Sequence, residues 1–182
     1  MNLHEHDTLL IRPSTDADIP ALTAIYGDNV LHGTGTFELE PPGEIEMARR
    51  RADVLSKGMP WMVATDGHVV IGYAYASQFR PRPGYRFTVE DSIYLDPRAQ
   101  GQGLGRLLLA ELIARCQDLG VRQMLAVIGD SANTASIALH RNLGFDHCGT
   151  LPAVGWKFDR WRDVVMMQRV LGRGGSTEPV DR

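Results

Sequence analysis

The run Gln100-Gly101-Gln102-Gly103-Leu104-Gly105 lies between a strand-like stretch, Thr88 to Leu95, stopped by Asp96-Pro97, and a strongly amphipathic helix, Leu104 to Leu119, closed by Gly120. A strand that feeds a glycine-rich turn and then a helix brings unpaired backbone N–H groups and the positive end of the helix dipole to one point. Such a point binds phosphate. Glycine suits it because a side chain would block the approach of backbone to anion, and because the turn can use φ values that other residues adopt poorly. A loop that hydrolyses nucleoside triphosphates would continue Gly-Lys-Ser or Gly-Lys-Thr, whereas Gly105 is followed by Arg106 and Leu107. A dinucleotide fingerprint would place its third glycine one residue later and an acidic ribose ligand about 20 residues on, where Leu125 stands. The loop alone specifies an anion site or a ligand-free turn, and its neighbours must decide.

At 182 residues and 43% hydrophobic composition the chain suffices for one domain with one core. A net charge of −3 gives no basic field to draw it onto nucleic acid or an anionic membrane. Its apolar runs, such as Leu107 to Ala110, fall far short of the roughly 20 residues of a membrane span. Small molecules and proteins remain as partners. Cys116 and Cys148 form no C-x-x-C pair, and the polar start MNLHEHDT is not a secretory leader, which together point to a soluble protein in a reducing, cytoplasmic setting. His4 and His6 read as solvated tail residues, and no metal site is expected. Gly172 to Arg182 lacks apolar periodicity, so the expected domain is 9–171 with flexible termini at 1–8 and 172–182.

Leu9 to Arg12 reads as a strand, and Thr15 with Asp18 forms a capping-box pattern for a helix from about Ala17 to Leu31 that buries Ile19, Leu22, Ile25, Tyr26 and Val30. Gly33-Thr34-Gly35-Thr36-Phe37 and Pro41-Pro42-Gly43 suggest an exposed arm before a second helix ending near Lys57. Strands around Trp61–Ala64 and Val69–Gln78 flank Asp66-Gly67, a hairpin turn signal. Arg80 to Arg86, rich in proline, is a loop. Met124 to Ile128 is a short buried strand, Asn133 precedes a helix through Leu143, Gly144-Phe145 opens another strand, and Val164 to Leu171 forms the last. The fold class is α/β, or α+β: a mixed, mostly antiparallel sheet flanked by helices.

Gln100, Gly103 and Gly105 match the coenzyme motif Gln/Arg-x-x-Gly-x-Gly/Ala of the GCN5-related N-acetyltransferase (GNAT) superfamily, which the chain resembles. Downstream, Asn133 and the run Ala135 to Phe145, ending Leu143-Gly144-Phe145, resemble its second signature. The segments Tyr85 to Leu95 (YRFTVEDSIYL) and Val154 to Asp163 (VGWKFDRWRD) are similar to the phosphinothricin and methionine sulfoximine N-acetyltransferase group, over essentially Ile11 to Leu171. The resemblance implies a GNAT fold and direct transfer of an acetyl group from acetyl-CoA to the amino group of a small amino acid analogue of the phosphinothricin, methionine sulfoximine or methionine sulfone type. Resistance to such compounds is the associated role.

Amine acylation needs a neutral nucleophile, a stabilised oxyanion and a protonated leaving thiolate. By resemblance, Glu90 is the general base, although a solvent-facing strand carboxylate is the plain alternative. His140 is either the acid that protonates the thiolate or a helix-surface histidine capping a carbonyl. The backbone of Ile93, Tyr94 and Leu95 would pair with the pantetheine arm. Gln100, Gly101, Gln102, Gly103, Leu104, Gly105 and Arg106 would hold the pyrophosphate, and Asn133 would contact the coenzyme, cap its helix, or both. For the acceptor, Arg80, Pro81 and Arg82, with Phe79 before them and Asp91 and Ser92 beside Glu90, would clamp a carboxylate or phosphinate. The group suggests a homodimer, with the Thr36-Phe37 arm as a contact. Acetylation of a protein or peptide amino terminus, and a catalytically silent coenzyme-binding module, are the alternatives.

Overall fold

The computed structural model describes residues 9–180; the terminus 1–8, with His4 and His6, and residues 181–182 lie outside it. Seven strands form one sheet in the order β1-β2-β3-β4-β5-β7-β6. They span Leu9–Pro13 (β1), Trp61–Asp66 (β2), Val69–Gln78 (β3), Thr88–Leu95 (β4), Gln123–Gly129 (β5), Asp146–Trp156 (β6) and Trp161–Val170 (β7). Four helices, Ile19–His32 (α1), Glu44–Ser56 (α2), Leu104–Asp118 (α3) and Thr134–Asn142 (α4), complete the framework. All neighbouring strands are antiparallel except β4 and β5, whose α3 crossover makes them parallel.

The pleat of β3 sorts the layers. Tyr73 and Tyr75 point to one face, where Tyr73 packs with Tyr94 of β4 and Tyr94 meets Tyr26 of α1 edge-on at 4.9 Å. Gly72 points to the other, where an added Cβ would come within 3.6 Å of Leu104 in α3. Helix α1 therefore covers one face and α3 the opposite one. The stripe Leu108, Leu109, Leu112 and Cys116 of α3 is fully buried, as the amphipathic pattern requires. On β5, Met124, Ala126 and Ile128 are buried in alternation.

The local signals translate directly. Asp66 pairs with Val69 around a two-residue turn in which Gly67 takes φ +58°, the conformation its position anticipated. Thr15 N–H donates to Asp18 Oδ2 at 2.7 Å, but Asp16–Asp18 forms a 3-10 turn, so α1 begins at Ile19 instead of Ala17.

One expectation needs correction. The segment 33–38 is no exposed arm. Tyr26 Oη donates to Glu38 Oε1 at 2.8 Å, Lys157 Nζ donates to Thr36 O at 2.8 Å, and the Phe37 ring fills the space that a Cβ on Gly155 would need. At the other terminus, Arg122 donates to the Gly174 and Glu178 carbonyls and to Thr177 Oγ1, each at 3.2 Å, and Gly174 is buried. This part of the segment 172–182 lies against the fold.

Candidate active site

Strands β4 and β5 pair only from Thr88↔Gln123 to Asp91↔Ala126, while β3 accompanies β4 as far as Leu95. Beyond Asp91 the two parallel strands diverge, and the edge of β4 from Ser92 to Leu95 faces a gap. A cavity of about 870 Å³ occupies that gap. It runs from Glu90 past Ile93, Tyr94 and Leu95 to Gln100, Gly101, Gly103, Gly105 and Arg106, with Asn133, Ser136, Leu139 and His140 of α4 on its far wall and residues 33–37 over it.

At the helix end, Gly101 and Gly103 take φ +74° and +81°, and a Cβ on either would project into open space. Arg106 N–H already donates to Gly103 O at 3.1 Å, but the Leu104 and Gly105 amides ahead of it precede the first helical hydrogen bond, so together with the glycine backbone they form a cradle for an anion. Asn133 Oδ1 accepts from Ser136 N–H at 3.3 Å, capping α4, and the residue also lines the cavity. Gln102 and Leu104 are not among the residues that line the cavity. Gln102 turns back to donate to Arg98 O at 2.8 Å, and Leu104 is buried in the core, so neither side chain reaches the cavity.

Glu90 lies at the other end, partly buried. Its pKa is raised above the ordinary carboxylate value by desolvation and then by the adjacent Asp91 carboxylate, with Arg80 opposing. Next to it is Tyr75, a residue that sequence reasoning passed over. Tyr75 lines the cavity, stacks on Trp61 at 4.1 Å and hydrogen-bonds to Ser92, its cross-strand neighbour. The signal for it was present, since Tyr73 and Tyr75 alternate on a strand that must border β4.

Phe79, Arg80, Pro81 and Arg82 do not wall the cavity. Both arginines are exposed, the Arg80 guanidinium lies 5.0 Å over the Phe79 ring, and the loop is held by Gln78, whose amide donates to Arg80 O at 2.7 Å. Prolines at 81 and 83 keep this loop out of the sheet, as expected, and also outside the cavity wall.

His140 is no surface histidine. Its side chain is 3% exposed, its Nδ1 lies 2.7 Å from Ser136 O, and its Nε2 lies 3.0 Å from Asp91 Oδ2. Asp91, expected at the acceptor, is therefore bonded to the histidine. Burial pulls the His140 pKa down, but the Asp91 hydrogen bond, the Asp91 charge and the Ser136 carbonyl outweigh it, and the net shift is upward.

A gap with free strand edge on one side and an anion cradle at its end accommodates an extended ligand that carries phosphate. Proteins built this way are coenzyme A-dependent acyltransferases. The chain belongs to the acetyltransferase (GNAT) family, whose model matches residues 23–145. It is 52% identical over 169 residues to the phosphinothricin N-acetyltransferase of Alcaligenes faecalis, covering 93% of this chain and 86% of that one. It is 43% identical over 162 residues to the L-methionine sulfoximine/L-methionine sulfone acetyltransferase of Pseudomonas aeruginosa, covering 87% and 92%. A phosphinothricin acetyltransferase from Sinorhizobium meliloti, solved in complex with AcCoA, superposes with a TM-score of 0.93 at 51% identity, over 96% of this chain and 94% of the other.

Proposed function

We propose that this N-acetyltransferase moves the acetyl group of acetyl-CoA directly to the amino group of a small amino acid analogue of the phosphinothricin, methionine sulfoximine or methionine sulfone type, with Glu90 as general base. The carrying observation is the position of Glu90: a desolvated carboxylate of raised pKa at one end of a cavity whose other end is an anion cradle. A carboxylate of raised basicity takes the ammonium proton, and the free amine attacks the thioester carbonyl. The N–C bond forms, the C–S bond breaks, and its electron pair leaves on sulfur. Backbone N–H groups along the free edge of β4 at Ile93 to Leu95 can bind the pantetheine arm and polarise the carbonyl. The glycine cradle and Arg106 hold the pyrophosphate.

A small acceptor is favoured over a peptide because residues 33–37 line the same cavity as Glu90 and are held in place by Lys157 and Tyr26. Arg80, exposed but within electrostatic reach of Glu90, is the guanidinium of the loop that we assign to the acceptor's anionic group. We also propose a homodimer. Phe37 is occupied within its own chain, so the better contact is edge strand β6 with its turn, where Leu151, Val154, Trp156, Phe158 and Trp161 are exposed. A second copy presents the same edge to it.

The test is thiol release from acetyl-CoA across a panel of amino acid analogues and short peptides. Turnover confined to the analogues is expected. Preference for peptides would overturn the acceptor class, and no release with any acceptor would leave a coenzyme-binding module.

A further inference from the structure

We infer that Asp91, not His140, delivers the proton to the leaving thiolate, and that His140 stands behind it as the store from which that proton comes. The inference rests on the acetyl-transfer reading of the site.

Both nitrogens of His140 are already engaged. The Ser136 carbonyl can only accept, so Nδ1 carries a proton; the contact of Nε2 with Asp91 Oδ2, together with the upward shift of the His140 pKa by the Asp91 charge, favours a second proton on Nε2. The pair is an imidazolium facing a carboxylate. With its side chain 3% exposed, its edge against Phe145 at 5.0 Å and both N–H groups committed, the ring has no donor left to offer a ligand.

Asp91 differs. It is the last residue of β4 paired with β5, so it stands where the gap opens, and it lines the cavity. Its Oδ1 is buried with no hydrogen-bond partner among the described residues, a costly state for a carboxylate oxygen that no ligand is meant to meet. Glu90 precedes it on β4 and Ser136 faces the ring from α4; among the described residues no cation other than the imidazolium is bonded to it.

The ammonium gives up two protons, one to Glu90 before the attack and a second from the N–C adduct to solvent as that adduct collapses to the amide. As the C–S bond breaks and its electron pair localises on sulfur, the Nε2 proton passes to Asp91 Oδ2, and the carboxyl turns about its Cβ–Cγ bond to give that same proton to the thiolate. Coenzyme A leaves as the thiol, Asp91 is again a carboxylate, and His140 is neutral with its proton on Nδ1. The proton held by Glu90 returns the site to its starting state through solvent.

The test compares two acetyl donors in the wild-type enzyme and in Asp91→Asn: acetyl-CoA, whose alkyl thiolate needs a proton, and an S-acetyl aryl thioester, whose thiolate is stable without one. With acetyl-CoA the variant should lose about 100-fold in kcat, within the range of general acid catalysis, and with the aryl donor less than about tenfold. An equal loss with both donors, or none with either, overturns the proposal. If the variant does not fold, 15N NMR of wild-type His140, assigned through His140→Gln, decides instead. Two protonated ring nitrogens near neutral pH are expected, and a ring with one proton overturns the store. A wild-type enzyme that releases no thiol from acetyl-CoA with any acceptor would mark failure of the underlying reading and take this proposal with it.

Discussion

Lys157 Nζ donates to the carbonyl oxygen of Thr36 at 2.8 Å, joining the β6–β7 turn to the roof of the cavity across 121 positions of sequence. The ammonium is almost fully buried and its pKa is lowered by desolvation, so the tether is made at the expense of hydration. Lys157→Met keeps the apolar stem and removes the donor. A hydrogen bond from a charged group contributes about 1.5–3 kcal/mol, so KM for the acceptor should rise roughly tenfold or more, with kcat changed less. An unchanged KM in steady-state assays would show that the roof holds its place without Lys157.

Gly155 and Phe37 form a notch and its filler. A Cβ on Gly155 would lie 2.5 Å from the Phe37 ring, closer than packed atoms allow. Gly155→Ala should therefore cost about 1–3 kcal/mol, the usual range for overpacking, and lower the midpoint of thermal unfolding. Adding Phe37→Leu should recover part of that loss. Strict additivity of the two substitutions would mean that they do not share this contact.

For Glu90 the direction of the pKa shift fixes the sign of two effects. The base works deprotonated, so the acidic limb of kcat/KM should lie above the ordinary carboxylate value of 4.5, and activity should fall as pH drops through it. Glu90→Gln should remove that limb and most of the rate at neutral pH, with partial recovery at alkaline pH, where amines deprotonate unaided. A raised folded pKa also means that the carboxyl favours the folded state below its unfolded pKa, and that this contribution is lost as pH rises through the folded value. The Gln variant should then unfold at a higher temperature than the wild type at pH 7, and the difference should narrow in acid. Scanning calorimetry at both pH values checks the second effect independently of activity.

Asp18 behaves in the opposite sense. It is buried, accepts from Arg12 at 2.8 Å through both of its oxygens and from Thr15 N–H at 2.7 Å, and its pKa is lowered chiefly by the Arg12 hydrogen bonds. Its contribution is present above the unfolded value of 3.8 and disappears as pH falls through the lower folded value. Asp18→Asn should cost about 1–3 kcal/mol at pH 7 in denaturant titrations, and the gap to wild type should narrow as pH falls below 3.8 and through the lowered folded value. A gap that persists in acid would mean that the amide disturbs packing instead of charge.

The elements were written locally, and so were the parts of the site that depend on local geometry. Gly67, Gly103 and Gly120 mark turns because positive φ is a property of single residues, and the apolar spacing of α3 is set within one helix. Glu90 and the glycine loop could be placed because a strand, a turn and a helix in succession determine their relative positions. Gln102 and Leu104 could not be told from their neighbours in the loop, since which side chain turns outward is decided by Arg98 and the core. The Asp91–His140 pair joins positions 49 apart, and the Lys157 tether joins positions 121 apart. Neither carries a spacing signature, because the sheet order that brings them together belongs to the whole chain. That Phe79, Arg80, Pro81 and Arg82 lie outside the cavity wall was hidden for a related reason: a run of prolines announces a loop but not the direction in which it leaves the sheet.

The two halves of the sheet are stitched by four residue pairs, Thr88 to Asp91 with Gln123 to Ala126, and then part. A ligand lying along the free edge of β4 takes the place of the missing stitches. The donor thereby becomes a structural member as well as a reactant: with it bound, β4 has a neighbour along its whole length, and when it departs the seam reopens. On the proposed mode of binding, the departure of coenzyme A at each turnover leaves the backbone groups of Ser92 to Leu95 to be satisfied by water until the next donor arrives.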